Sequence, residues 1–242
     1  MAHHEFTPDH YHITIGNHAP ILEIAPGDTV STTTVDARGG DANGDIVTER
    51  GNPQTGPFFV RGAKPGDTLV VTLDKLIPNR PTGFTGLRIA PNVLDHGYIP
   101  EFGDELDGST AQWAVDTKAW NARLLTPSGP LSDIAIPLDP MVGCFGVAPP
   151  RGQAISCATS STHGGNMDYR GFRQGVKVFF PVFSEGALFH IGDGHAVQGD
   201  GEIVGTGIEI SFDVTFTIDL IEDREIYWPR AENDNYLMAV GN

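Results

Sequence analysis

The sequence predicts an all-β protein, an antiparallel β-sandwich of jelly-roll type with little helix. Three observations predict it. Residues 208–220 alternate without a break, with Ile208, Ile210, Phe212, Val214, Phe216, Ile218 and Leu220 on one face and Glu209, Ser211, Asp213, Thr215, Thr217 and Asp219 on the other. A period of two held this long is a strand with one buried and one wet face. Glycine (30) and proline (18) make up about a fifth of the 242 residues, against a usual share of about 12 per cent, so turns are frequent. No window of about fifteen residues carries an apolar stripe at helical spacing.

The remaining elements follow a turn-then-strand rule. Pro26-Gly27-Asp28 leads into a strand over 29–35, and Pro65-Gly66-Asp67 into one over 68–73, which reads as a repeated hairpin. Weaker strands fall at 112–115 and 122–125, and a largely buried one at 176–183, where Pro181 must take an edge or a bulge. The Gly/Pro-rich region 127–150 is expected to join two β lobes, about 1–130 and 131–242. Residues 231–242 favour a helix and read as the opening of a further element.

Composition excludes several partners. Fifteen Lys and Arg against 31 Asp and Glu give a net charge of −16, which disfavours nucleic acid and anionic membranes, since both need clustered cations. No segment reaches the ~18 apolar residues of a membrane span, and Met1-Ala2-His3-His4-Glu5 shows no apolar leader. Cys144 and Cys157 are then expected as two reduced thiols in a cytoplasmic protein.

The densest chemistry lies in residues 189–202, where two aspartates, a glutamate and two histidines are spaced by four glycines. Asp193 and His195, two residues apart, point to one side of an extended segment. A carboxylate and an imidazole on one face suit a divalent metal. Asp200 and Glu202 repeat the spacing. A second group, Thr162-His163-Gly164-Gly165-Asn166-Met167-Asp168, combines ionisable side chains with a glycine pair whose N–H groups can approach a ligand, or else forms a tight turn with an Asp cap. Asp36, a carboxylate at a strand end before Gly39-Gly40, is a third candidate and equally a turn former.

Together these segments resemble the acetamidase/formamidase family. The resemblance runs from Val35-Asp36-Ala37 through Asn52-Pro53-Gln54-Thr55-Gly56-Pro57 and Val60-Arg61-Gly62-Ala63-Lys64-Pro65-Gly66-Asp67. It continues in His163-Gly164-Gly165-Asn166-Met167-Asp168 and ends in Gly186-Ala187-Leu188-Phe189, Gly192-Asp193-Gly194-His195-Ala196 and Gly199-Asp200-Gly201-Glu202. It implies an amidase acting on very small amides, a mostly β fold, a metal in the site and a homodimer or higher homo-oligomer. Members of that family usually continue past the position of Asn242 into a further portion.

On this reading Asp36, Asp193 and His195 are the expected metal ligands, with zinc first and calcium or magnesium as alternatives. Glu202 is the expected acid/base. Asp168 with His163, Gly164 and Gly165 would hold the amide or its oxyanion. Two other chemistries stay open: a thiolate amidase using Cys157, and a calcium-stabilised binding module whose cage is Asp193, Asp200 and Glu202. His3, His4, His10, His12 and His18 read as an exposed N-terminal strand, His190 as a core histidine, and His96 as a loop residue approaching the pocket.

Overall fold

The computed structural model describes residues 1–87, 95, 97, 109–127, 129–131 and 133–241; His96 and Asn242 lie outside the described residues. The first seven strands are β1 (His3–Glu5), β2 (Thr14–Gly16), β3 (Leu22–Ile24), β4 (Thr29–Thr33), β5 (Gln54–Val60), β6 (Thr68–Pro78) and β7 (Thr82–Gly86). Then come β8 (Thr110–Asp116), β9 (Asn121–Leu124), β10 (Ile136–Pro137), β11 (Met141–Gly146), β12 (Ala154–Ser156), β13 (Ser160–Ser161) and β14 (Gly164–Asn166). The last are β15 (Lys177–Pro181), β16 (Phe189–His195), β17 (Phe212–Ile221), β18 (Arg230–Glu232) and β19 (Leu237–Ala239). Among the described residues there is no α-helix, and no helix is long and apolar enough to cross a membrane.

A seven-stranded sheet, ordered β1-β4-β17-β6-β15-β18-β19, faces a six-stranded one, ordered β13-β14-β11-β16-β5-β3. Phenylalanines bridge them: Phe58 of β5 and Phe189 of β16 meet Phe216 of β17 at ring-centroid distances of 5.1 and 5.2 Å. Phe145 of β11 meets Phe180 of β15 at 5.5 Å. All five are fully buried, and edge-to-face pairs of this kind add to the ordinary burial of aromatic surface. A four-stranded sheet, β10-β9-β8-β7, and a two-stranded one, β12-β2, complete the fold. Pairing is antiparallel except for β1 with β4 and β3 with β5.

The alternation that predicts the long strand holds from Phe212 to Ile218, buried and half-buried by turns, but residues 208–211 are buried on both faces. The two Pro-Gly-Asp turns do not form a repeated hairpin. They launch β4 and β6, which flank β17 on either side. In each turn the Asp carboxylate accepts the N–H of the residue three before it, from Ala25 to Asp28 and from Lys64 to Asp67, at 3.0 Å. Pro181 ends β15, where no further ladder N–H is required.

A lobe boundary near residue 130 has no counterpart in this arrangement. Both large sheets draw strands from either side of it, and β11, from within the Gly/Pro-rich region, lies fully buried between β14 and β16. Within the described residues 231–241 no helix opens: β18 and β19 pair as short antiparallel strands. The N-terminal histidines are not simply an exposed strand either. His12 and His18 stack face to face at 3.9 Å, and buried His190 lies beside both at 6.2 and 5.8 Å.

Candidate active site

The chemistry collects at one end of the six-stranded sheet. Strand β16 runs fully buried between β11 and β5 and delivers Asp193 and His195 from one face, His195 Nε2 lying 3.5 Å from Asp193 Oδ1. The Gly143 carbonyl in β11 accepts the N–H groups of Met167 and Asp168 at 3.0 and 3.2 Å, which turns the chain after β14 so that Asp168 comes in beside them. Glu209 enters from the segment between β16 and β17. Its backbone bridges both Phe84 and His195, its Oε1 accepts the Gly207 N–H at 3.0 Å, and the same oxygen lies 3.1 Å from His195 Nε2. Glu202, in a short turn over Asp200–Glu202, reaches 3.9 Å from that nitrogen.

Two ligand groups result, Asp168–Asp193–His195 and His195–Glu202–Glu209, with the donor atoms of each within 4.8 Å of one another. A cavity of about 130 Å³ opens among them, lined also by Ala37, Arg38, Asn52, Phe84, Asn166 and Thr206. A larger groove of about 430 Å³, lined by Thr68, Phe179, Arg224 and Leu237 among others, shares none of these residues. That groove is the roomier of the two, but it holds no comparable cluster of ionisable groups, so the smaller cavity is the candidate site.

The backbone is bent to build this centre. Asn52, Asp168, Asp193 and Glu202 all have positive φ, at 56°, 41°, 59° and 44°. Side chains other than glycine seldom adopt that region, and such strain concentrates where the surrounding structure over-determines a site. Asn52 Nδ2 donates to Asn166 Oδ1 at 2.8 Å and to Asp193 Oδ2 at 3.1 Å, and Asn166 in turn donates to Asp168. Two glycines make the room. A Cβ on Gly143 would collide with the carboxylates of Asp168 and Asp193, and one on Gly207 with the His195 ring.

Burial sets the electrostatics. It pushes the Asp168 carboxyl up to about 8, helped by the charges of Asp193 and Glu202. It pushes Glu202 up to about 7 against the pull of His195, and raises Glu209 as well. Burial opposes charge on His195, yet Glu209 and Asp193 outweigh it and hold the imidazole well above its ordinary value. Asp168 Oδ1, Asp193 Oδ1 and Glu209 Oε2 are buried with no hydrogen-bond partner. Buried polar atoms are nearly always satisfied. Three orphaned carboxylate oxygens around one imidazole, in a space kept open by glycine, therefore fit a bound cation.

The structure brings together Asp168, Asp193, His195 and Glu202 of the sequence candidates and places the others elsewhere. Asp36 is in neither ligand group. Its Oδ2 is 2.5 Å from Arg80 Nη2, and its Oδ1 accepts the N–H groups of Arg38 and Gly40, so it ties down the loop whose Ala37 and Arg38 wall the cavity. Gly164 and Gly165 lie in the ladder of β14, where the crowding comes from sheet backbone rather than from the cavity. His163 is fully buried, neither ring nitrogen has a partner, and burial lowers its pKa to about 4. Exposed Asp200 pairs with Arg170 at 2.7 Å. Cys157 is buried with Cys144 and Ile15 in a small apolar cluster outside the cavity. Glu209, Asn52 and Gln198 were not among the candidates. Glu209 falls in the wet-face register of the alternating strand, which hides it.

Fold and centre together define an all-β sandwich protein with a buried carboxylate–imidazole site. The chain belongs to the acetamidase/formamidase family, whose profile matches residues 7–153 and 151–236. It is 29% identical to the acetamidase of Mycolicibacterium smegmatis over 69% of this chain and 53% of that protein. It is 26% identical to the formamidase of Methylophilus methylotrophus over 84% of this chain and 62% of that protein. The crystal structure of the Yersinia enterocolitica acetamidase superposes with a TM-score of 0.79 at 30% identity, covering 98% of this chain and 73% of that one. The chain thus spans between 53% and 62% of the length of these two sequence relatives.

Proposed function

We propose that the protein hydrolyses small aliphatic amides, formamide and acetamide, to carboxylate and ammonia. Family membership supports the reaction. The observation that carries it to a site is the buried cluster around His195, with three unpartnered carboxylate oxygens facing one small cavity. About 130 Å³ admits an amide of only a few heavy atoms.

Asp168, Asp193, His195 and Glu209 would hold a divalent ion. The imidazole favours zinc, and the surplus of carboxylates keeps magnesium and calcium as alternatives. Such an ion supplies carbonyl polarisation and a lowered pKa for bound water. Glu202, at the edge of the cluster with its carboxyl near 7, is suited to take a proton from the attacking water and hand it to the leaving nitrogen near neutral pH. Asp168 and Asn166, both lining the cavity, offer an acceptor for the amide N–H₂ and a polar wall that orients it. Phe84, with the Arg38 guanidinium 4.5 Å from its ring centre, closes the cavity against longer substrates.

The reading extends to a cytoplasmic homodimer or higher homo-oligomer with no nucleic-acid or membrane partner. The unpaired buried thiols of Cys144 and Cys157 fit a reducing compartment. Exposed Tyr227, Tyr236 and Leu237 fit a subunit contact.

The test is ammonia release from formamide and acetamide before and after chelation, with single cations added back. Activity lost on chelation and restored by one cation supports the reading and names the metal. Glu202→Gln should keep the metal and lose turnover, and His195→Ala should lose both with the fold intact. Turnover insensitive to chelator would remove the metal from the reading, and tight calcium binding without turnover would leave only a binding module.

A further inference from the structure

Gln198 lies just beyond β16, 5% exposed, and uses both ends of its amide. Its Oε1 is 2.8 Å from His195 Nδ1, and its Nε2 donates to the Asp168 backbone carbonyl at 2.6 Å. A carbonyl oxygen can only accept, so the amide nitrogen must face Asp168 and the amide oxygen must face His195. That oxygen also can only accept. The hydrogen of the second bond therefore sits on Nδ1 of His195. The orientation of one side chain thus fixes a tautomer that a ring position alone leaves open.

The consequence lies on the other side of the ring. With Nδ1 committed as a donor, the lone pair of the neutral imidazole is on Nε2, the nitrogen that faces Glu209, Asp193 and Glu202. A Cβ at Gly207 would lie 2.7 Å from Cγ of the ring, so the missing side chain there is what lets His195 take this pose. The same Gln198 holds the backbone of Asp168, which shares a ligand group with His195.

We infer that Gln198 is the positioning residue of the centre: it fixes His195 with its hydrogen on Nδ1, aims Nε2 at the ion, and ties the Asp168 segment to the same point. The inference rests on the metal reading above. Hydrogen-bond partners of metal-bound histidines raise ligand basicity and set ring orientation, and their loss typically weakens metal binding 10- to 100-fold. The amide does both tasks at once, whereas a carboxylate keeps the acceptor at His195 and loses only the donor to Asp168.

The experiment is cobalt(II) binding to the full chain, followed by visible absorption and chelator competition. Gln198→Met should bind cobalt about 10- to 100-fold more weakly with an altered spectrum. Gln198→Glu, which keeps an acceptor at Nδ1, should restore most of the affinity, a rescue that a purely structural role would not produce. Parental affinity and spectrum in Gln198→Met would overturn the inference, as would a Gln198→Glu variant no better than Gln198→Met. Should Gln198→Met fail to fold, ¹⁵N shifts of the zinc-loaded parent decide it. They should show hydrogen on Nδ1 and metal on Nε2 of His195, and the reverse would be fatal. A parent that takes up no metal at all would sink the metal reading, and this inference with it.

Discussion

His195 and Glu209 face each other twice, as backbone bridge partners and as side chains 3.1 Å apart. Glu209 is almost fully buried and its Oε2 has no partner, so its charge is stable there only beside cations. Glu209→Gln preserves shape and removes that charge. Metal affinity should fall at least 10-fold and ammonia release about 100-fold or more. The metal-free thermal midpoint should hold or rise, because burial and the neighbouring carboxylates oppose the Glu209 charge more than His195 supports it. Unchanged metal content and turnover would remove Glu209 from the site.

The pair Asp36–Arg80, 4% and 7% exposed, predicts a different phenotype. Asp36→Ala leaves the guanidinium buried and unpaired, which costs about 3–5 kcal/mol, measurable by urea unfolding. Metal content should be preserved. Loss of metal in a well-folded Asp36→Asn variant would instead make Asp36 a ligand.

Gly143→Ala puts a methyl group where the carboxylates of Asp168 and Asp193 now converge. Overpacking of this sort costs about 1–3 kcal/mol, but the larger effect should be on the site: metal uptake and turnover lost while most stability remains. Normal uptake would mean that the carboxylates have room to give way.

Acid should destabilise the protein through its buried histidines. Burial lowers His190 to about 3, and His163 and His12 to about 4, from 6.5. The native state then binds fewer protons than the unfolded chain. Stability from these groups is complete above about pH 6.5 and is lost as pH falls from there toward 4. His163→Leu, which removes two unpartnered ring nitrogens, should flatten the urea midpoint between pH 6.5 and 4 and leave KM for acetamide unchanged. A raised KM would restore His163 to substrate binding.

Metal affinity should rise with pH. Burial holds a proton on Asp168 up to about 8, and an incoming ion must displace it. Chelator competition between pH 6 and 8 should show tighter binding at the alkaline end. A flat profile would place the ion on other groups.

What was legible in the sequence followed from local geometry. Asp193 and His195 share a face because extended chain repeats every two residues, and the glycines around Glu202 allowed a return toward them. The long strand was legible wherever the opposite sheet covers only one side. It failed at Glu209 because β7 covers the second side there, and nothing within residues 208–220 encodes what packs on them from Phe84. Asp36 stands three residues past the end of β4, and its partner Arg80 comes from beyond the end of β6, so no local pattern joins the two. Gly164 and Gly165 were read as a ligand nest; their positive φ instead serves close approach of β14 to the chain on either side. Period and turn chemistry are local properties, whereas burial of a polar residue is decided by strands distant in sequence.

The placement of β17 has a bearing on how the protein is made. Strands β4 and β6 have no shared neighbour until Phe212–Ile221 inserts between them, and Glu209 arrives on the segment just ahead of it. A nascent chain emerging N-terminus first holds these two sheet edges open until residues 212–221 are made, and pairings this non-local form slowly. The cluster around His195 would thus be complete only after translation has passed Glu209 and the strand behind it, and a ribosome stalled earlier would display unpaired edges open to pairing with another chain.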